Sequence, residues 1–249
     1  MSEGAIRPDW PAPARVRAFI TTRTMRGHSK PPYDRFNLGL RSGDDEAAVK
    51  ANRAQLVRDL ALPSEPRWIH QVHGDRSLRV TEEIFDREQM ADASFTTQPD
   101  IVLAILTADC LPILLAADDG SEIAAIHAGW RGLSAGIVES TVRRLRTPKD
   151  KLLAWLGPAI GAPSYEVGDE VRAAFACQSP EGAQAFVTTR PQHWLCDLYA
   201  LVRQRLQSVG VERIYGGDFD TFRDARFYSY RRDGQHSGRF ASLIWLDPR

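Results

Sequence analysis

Cys110 and His127 stand at corresponding ends of two apolar runs, residues 106–115 and 124–128, joined through the polar stretch Asp118-Asp119-Gly120-Ser121. The runs read as strands and the polar stretch as a hairpin turn. Pairing about that turn sets His127 opposite residues 110–112, so a thiol and an imidazole share one end of a sheet. Two chemistries use such a pair. A metal takes thiolate sulfur and imidazole nitrogen, and a nucleophilic cysteine takes a histidine base, with Asp109 or Asp75 to orient it. His73, within Gln71-Val72-His73-Gly74, supplies a third donor and completes a His₂Cys set. Zinc suits these ligands and keeps a fourth position for water or substrate, where a bound water reaches a pKa of about 7. Copper accepts the same donors. The three are far apart in sequence, so the competing reading is a small buried cysteine and two hydrogen-bonded histidines.

Other side chains have two readings each. Gly129-Trp130-Arg131-Gly132 precedes a helix, so its N–H groups and Arg131 could receive an anion; otherwise it is a tight turn with a surface arginine. Arg23, Arg231, Arg232 and Arg239 lie in polar, glycine-flanked segments and act in chemistry only if they converge on one cleft. Trp130, Tyr165, Phe36 and Phe227 could stack a planar base or simply pack in the core. Cys177 and Cys196 fall on apolar helix faces and read as packing residues.

The elements that position these groups alternate along the chain. Strands are predicted at residues 17–22, 67–72, 101–106, 152–156, 211–215 and 240–246. Asp44 or Asp45 caps a helix with Val49, Leu56, Val57 and Leu60 on one face. Further helices carry Leu133, Ile137, Val138, Val142 and Leu145; then Val171 and Phe175; then Trp194, Leu198, Leu201, Val202 and Leu206. The pattern implies one α/β domain over residues 1–249, with mixed sheets, helices packed outside, and residues 1–16 as an extended N-terminal arm. The 249 residues carry 32 Lys and Arg against 32 Asp and Glu, so no net field favours nucleic acid or an anionic membrane. No apolar run approaches the roughly 20 residues of a membrane span. Three cysteines make no disulfide framework, which fits a reducing cytoplasm.

Motifs in order from Thr21 onward carry a resemblance to a known family. They are Thr21-Thr22-Arg23, Phe36-Asn37-Leu38-Gly39, Gly43-Asp44-Asp45, Asn52-Arg53, Gln71-Val72-His73-Gly74, Thr107-Ala108-Asp109-Cys110-Leu111-Pro112 and Ala125-Ile126-His127-Ala128-Gly129-Trp130-Arg131-Gly132. The second half adds Leu156-Gly157-Pro158-Ala159-Ile160-Gly161, Tyr165-Glu166-Val167-Gly168 and Tyr228-Ser229-Tyr230-Arg231-Arg232-Asp233. The chain resembles the laccase-domain or polyphenol oxidase family, associated with peptidoglycan editing factor and purine nucleoside phosphorylases. The resemblance implies an α/β (α+β) layered sandwich of mixed β-sheets flanked by helices, cysteine-hydrolase-like. It implies His73, Cys110 and His127 as zinc ligands, with copper as the other metal.

For activity, the resemblance implies phosphorolysis of adenosine, inosine and methylthioadenosine, and adenosine deamination. The alternative is a hydrolase removing L-Ser from UDP-MurNAc-L-Ser. A copper polyphenol oxidase fits less well, because one His₂Cys site is not a multi-copper centre. Cys110, His127 and Asp109 are the catalytic candidates, and Arg23, Asn37, Gln71, Arg131 and Arg232 the substrate-binding ones. Small-molecule partners and a monomer or weak homo-oligomer follow. Two departures stand out: Thr24-Met25-Arg26-Gly27-His28-Ser29 replaces a glycine-rich segment, and Asp220 stands where a cysteine is common.

Overall fold

The computed structural model describes residues 4–82 and 88–248, so the first three residues of the expected arm lie outside the described residues. The strands of the first half are β1 (Val16–Ile20), β2 (Ser77–Arg79), β3 (Ala93–Thr96), β4 (Leu103–Thr107), β5 (Leu111–Ala117) and β6 (Ile123–Ala128). Those of the second half are β7 (Leu152–Leu156), β8 (Glu166–Gly168), β9 (Phe186–Arg190), β10 (His193–Cys196), β11 (Arg213–Gly216) and β12 (Phe240–Leu246). The helices are α1 (Glu46–Asp59), α2 (Trp130–Ala135), α3 (Ile137–Arg144), α4 (Asp169–Ala176), α5 (Pro180–Ala183), α6 (Leu198–Ser208) and α7 (Tyr230–Asp233).

A six-stranded sheet has the order β11-β7-β5-β6-β3-β2, and two three-stranded sheets have the orders β1-β12-β4 and β8-β10-β9. The large sheet is mixed: β11 with β7 and β2 with β3 run parallel, while β5 pairs antiparallel with β6 and β7. Strand alternation sends Ile113, Leu115, Ala124 and Ile126 toward Val138, Val142, Phe175, Leu201 and Leu206 of the helices. It sends Leu114, Ala116, Ile123 and Ala125 the other way, against Ile20, Leu103, Ile105, Phe240 and Ile244 of the β1-β12-β4 sheet. The reverse of that smaller sheet, with Phe19, Ala104, Leu243 and Trp245, is covered by Leu56 of α1 and by Leu60. The result is a layered helix–sheet–sheet–helix sandwich of mixed sheets. Both faces of the central strands are buried, which is why they read as continuous apolar runs rather than alternating ones. Among the described residues, no helix is long and apolar enough to cross a membrane.

Several local expectations need correction. Residues 67–72 form no strand; the segment makes isolated bridges, Arg67 with Leu103 and His70 with Met90. The helix after Trp130 breaks at Gly136, whose φ of +94° ends α2 and begins α3. Trp194 and Cys196 belong to β10, because Asp197 accepts Ala200 N–H and caps α6 only after them. Cys177 lies at the exposed end of α4, whereas Cys196 is buried.

Candidate metal centre and its cavity

The β5–β6 hairpin pairs Pro112 with His127, so by alternation Cys110, Pro112 and His127 share one face of the large sheet. His73 arrives from a loop. Its φ of +60° is a backbone conformation that costs a non-glycine residue about 1–3 kcal/mol unless its surroundings hold it. Asp92, fully buried beside β3, holds it. One carboxylate oxygen accepts His73 N–H at 2.9 Å, and the other accepts Gly74 N–H at 2.8 Å and Val72 N–H at 3.2 Å.

The first of these oxygens also lies 2.8 Å from Nδ1 of His127. A carboxylate only accepts, so Nδ1 carries the proton and Nε2 of His127 is left for a ligand. Asp92 thus orients both histidines at once. It, rather than Asp109 or Asp75, is the partner of the imidazole. The sequence signal was a lone acid in the otherwise small and apolar run Met90-Ala91-Asp92-Ala93.

The donor atoms of His73, Cys110 and His127 lie within 4.8 Å of one another, and Cys110 Sγ is 3.7 Å from His73 Nε2. Zinc–nitrogen and zinc–sulfur bonds at a tetrahedral angle would put these two atoms about 3.6 Å apart, so the donor set fits zinc. Gly129 fits the same reading: a Cβ there would sit 2.8 Å from His73 Cδ2 and 3.0 Å from Cys110 Sγ. A Cβ on Gly132 would press 2.8 Å from the Gly74 carbonyl. The two glycines of Gly129-Trp130-Arg131-Gly132 therefore make room for the ligands and their loop.

Electrostatics favour a ligand-ready thiol. Burial pushes the Cys110 thiol up, but the charge of His127 and hydrogen bonds from both histidines pull it down further, into thiolate territory. Burial pushes His127 down, while Cys110 and Asp92 outweigh it and raise it. Nitrogen must shed its proton to bind a metal, so a metal held here would displace the His127 proton and keep the thiolate.

The triad opens into a cavity of about 530 Å³. Its lining residues include the aromatic Trp130, Tyr165 and Tyr230 and the arginines Arg41, Arg53, Arg131, Arg231 and Arg239. Arg41 is neutralised by Glu88 at 2.7 and 3.0 Å. Burial raises the Tyr165 phenol far above its ordinary value, so it stays a protonated donor.

A family model described as multi-copper polyphenol oxidoreductase laccase matches residues 17–247. The chain belongs to this family. Relatives of the chain include Purine nucleoside phosphorylase PA4543 of Pseudomonas aeruginosa, 50% identical over 243 residues, which cover 97% of this chain and 98% of the relative. Purine nucleoside phosphorylase YfiH of Escherichia coli K12 is 48% identical over 245 residues, with 97% and 98% covered. Among solved structures, Neisseria meningitidis protein NMB0706 superposes with a TM-score of 0.94 at 41% identity, over 99% of this chain and 100% of that one. YlmD from Geobacillus stearothermophilus gives 0.93 at 30% identity, over 100% and 98%. The names of the sequence relatives support an enzyme role for this laccase-like chain.

The substrate-binding candidates separate in space. Gln71 and Arg131 line the cavity, although the Gln71 amide is spent on Leu106, donating to its carbonyl at 2.7 Å and accepting its N–H at 2.9 Å. Arg23, Asn37 and Arg232 are not among the described lining residues. Arg23 bonds Asp34 and Asp233 beneath Tyr228, and Arg232 donates to the Thr221, Phe222 and Phe227 carbonyls. Asn37 is buried among Ser42, Asp44 and Gly39.

Asp109 lines the cavity with φ +89°, and its two oxygens accept Thr221 Oγ1–H and Arg231 N–H, each at 2.6 Å. Phe36 and Phe227 are core residues, whereas Trp130 and Tyr165 reach the cavity. Of the glycine-flanked arginines, Arg231 and Arg239 converge on it. Asp220 accepts Gly161 N–H and Ser164 Oγ–H, anchoring the turn that leads to Tyr165. Arg41, Arg53, Glu88 and Tyr230 were not legible as site residues, since only the fold brings them to this wall.

Proposed function

We propose that this protein is a zinc-dependent purine nucleoside phosphorylase, cleaving adenosine, inosine and methylthioadenosine. The observation that carries the reading is one cavity lined by a His₂Cys donor set together with aromatic residues and several arginines. The names of the relatives point the same way. Aromatic faces suit a purine. Arginines suit phosphate, whose oxygen attacks the ribose anomeric carbon as the bond to the base breaks and its electron pair leaves with the base.

A proton must reach the departing purine, and the Tyr165 hydroxyl is a protonated cavity group able to hydrogen-bond it. Zinc, held by His73 Nε2, Cys110 Sγ and His127 Nε2, would supply Lewis-acid polarisation of a substrate oxygen. Asp92 orients those ligands, and Gly129 leaves them space. Deamination is the weaker branch: Asp109, its candidate acid, has both oxygens occupied as acceptors. Copper oxidase chemistry needs several copper ions, and one three-donor group of this kind is found among the described residues.

The test is to incubate zinc-loaded protein with adenosine, with and without phosphate, and to separate the products. Phosphate-dependent adenine and ribose 1-phosphate support the proposal; inosine would mark the deaminase branch. No adenine, together with serine released from UDP-MurNAc-L-Ser, would replace it with the editing hydrolase.

A further inference from the structure

The motif Phe36-Asn37-Leu38-Gly39 and the pair Asn52-Arg53 stand out in the sequence, yet neither contributes a metal donor. Their hydrogen bonds show what they hold. Asn37 Oδ1 accepts Arg239 N–H at 2.8 Å, and Leu38 N–H donates to the Arg239 carbonyl at 3.0 Å. A Cβ on Gly39 would lie 2.8 Å from Arg239 Cγ, so only glycine lets that stem lie along the loop. The Leu38 carbonyl accepts Arg53 Nε–H at 2.9 Å, and the Arg53 guanidinium sits 4.1 Å over the Trp68 ring. Asn52 braces the same loop by donating to the Asn37 carbonyl at 2.8 Å. One short backbone segment therefore presents two arginines, one from α1 and one from the approach to β12, in the wall of a single cavity.

These two differ from the other cavity arginines. Arg41 is matched by Glu88. Arg131 and Arg231 are exposed, and Arg231 Nη1 is spent on the Glu166 carbonyl. Arg53 and Arg239 are half-buried and make no ion pair among the described residues. Glu88 and Glu65 act on Arg53 only from beyond ion-pair distance, and a half-buried charge with no contacting counter-ion is unfavourable, so a cavity holding two such charges favours an anion. Among the described residues, Arg239 spends Nη1 on the Ser237 and Gly238 carbonyls, which leaves Nε and Nη2, and Arg53 spends only Nε. Cys110 and Asp109 line the same cavity as Arg239 and act on it electrostatically.

We propose that Arg53 and Arg239 form a binding site for a phosphate group, either free inorganic phosphate or a phosphoryl group carried by the substrate. Planar guanidinium forks match phosphate oxygens in pairs, which a lysine cannot reproduce. The free-phosphate source rests on the phosphorylase reading above; the site itself does not.

The experiment is calorimetric titration of zinc-loaded full-length protein with inorganic phosphate and, separately, with adenosine 5′-monophosphate. Wild type is compared with Arg53→Gln, Arg239→Gln and Arg53→Lys, and with Arg58→Gln on the exposed side of α1 as control. Zinc content and thermal midpoint are measured on each. The expected result is at least a tenfold loss of affinity in all three site variants, unchanged zinc content, and no loss in the control. Arg53→Lys keeps the stem and charge, so its loss reports the fork rather than a folding defect.

Arginine-dependent binding of inorganic phosphate assigns the free anion. Arginine-dependent binding of the nucleotide alone assigns the carried phosphoryl group. Wild-type affinity in the site variants, or no binding of either probe by wild type, overturns the proposal. Arginine-dependent phosphate binding without adenosine cleavage keeps the site and rejects the nucleoside reading.

Discussion

Replacing Asp92 by asparagine changes one atom of a buried carboxylate and should damage both the fold and the metal centre. The carboxylate accepts four N–H groups: His73 N and His127 Nδ1 on one oxygen, Gly74 N and Val72 N on the other. Asparagine keeps one acceptor oxygen and turns an NH₂ toward the other pair, whichever way it flips. Two hydrogen bonds to a charged acceptor are lost, each worth about 1.5–3 kcal/mol, so the apo-protein should lose about 3–6 kcal/mol.

At about 2–4 °C per kcal/mol for a chain of this size, calorimetry should record a drop of at least roughly 6 °C. Metal binding is a separate readout. Loss of an orienting partner typically weakens a site 10–100-fold, or about 1.4–2.7 kcal/mol, measurable by chelator competition for zinc. A variant with the wild-type melting midpoint and wild-type zinc affinity would refute the role given to Asp92.

Gly129→Ala introduces no new chemistry, yet its Cβ would meet His73 and Cys110 at 2.8 and 3.0 Å; zinc affinity measured by the same competition should fall at least about tenfold. Cys110→Ala removes the only sulfur donor of the triad, so zinc content and phosphorolysis, assayed by product chromatography, should both be lost. Tyr199→Phe strips the acceptor that Ala159 N–H reaches at 2.8 Å, leaving a buried donor unpaired; denaturant titration should show a loss of about 1–3 kcal/mol. Asp220→Ala releases Gly161 and Ser164 and so loosens the turn before Tyr165; KM for adenosine should rise while zinc content stays constant.

What the sequence determined was local or periodic. The turn at residues 118–121, flanked by apolar runs, was enough to place β5 against β6, and with them Cys110 near His127, because a short hairpin loop leaves few registers. β7 and β12 were legible with their observed bounds, residues 152–156 and 240–246, because apolar runs of strand length are set within a few residues. The misread segments were those where such signals run on across a boundary. Trp194 continued the spacing of α6, but pairing of β10 with β8 and β9 and the Asp197 cap ended the helix before it.

The tertiary structure alone decided which charges line the cavity and which hold the fold together. Arg23 and Arg232 look like Arg53 and Arg239 in sequence. The first two fold onto carbonyls and acids, and the other two line the cavity, because one loop brings α1 and the approach to β12 together. Asp92 shows the same division. A buried carboxylate gains its meaning from the four N–H groups that surround it, and those come from segments that only folding makes neighbours.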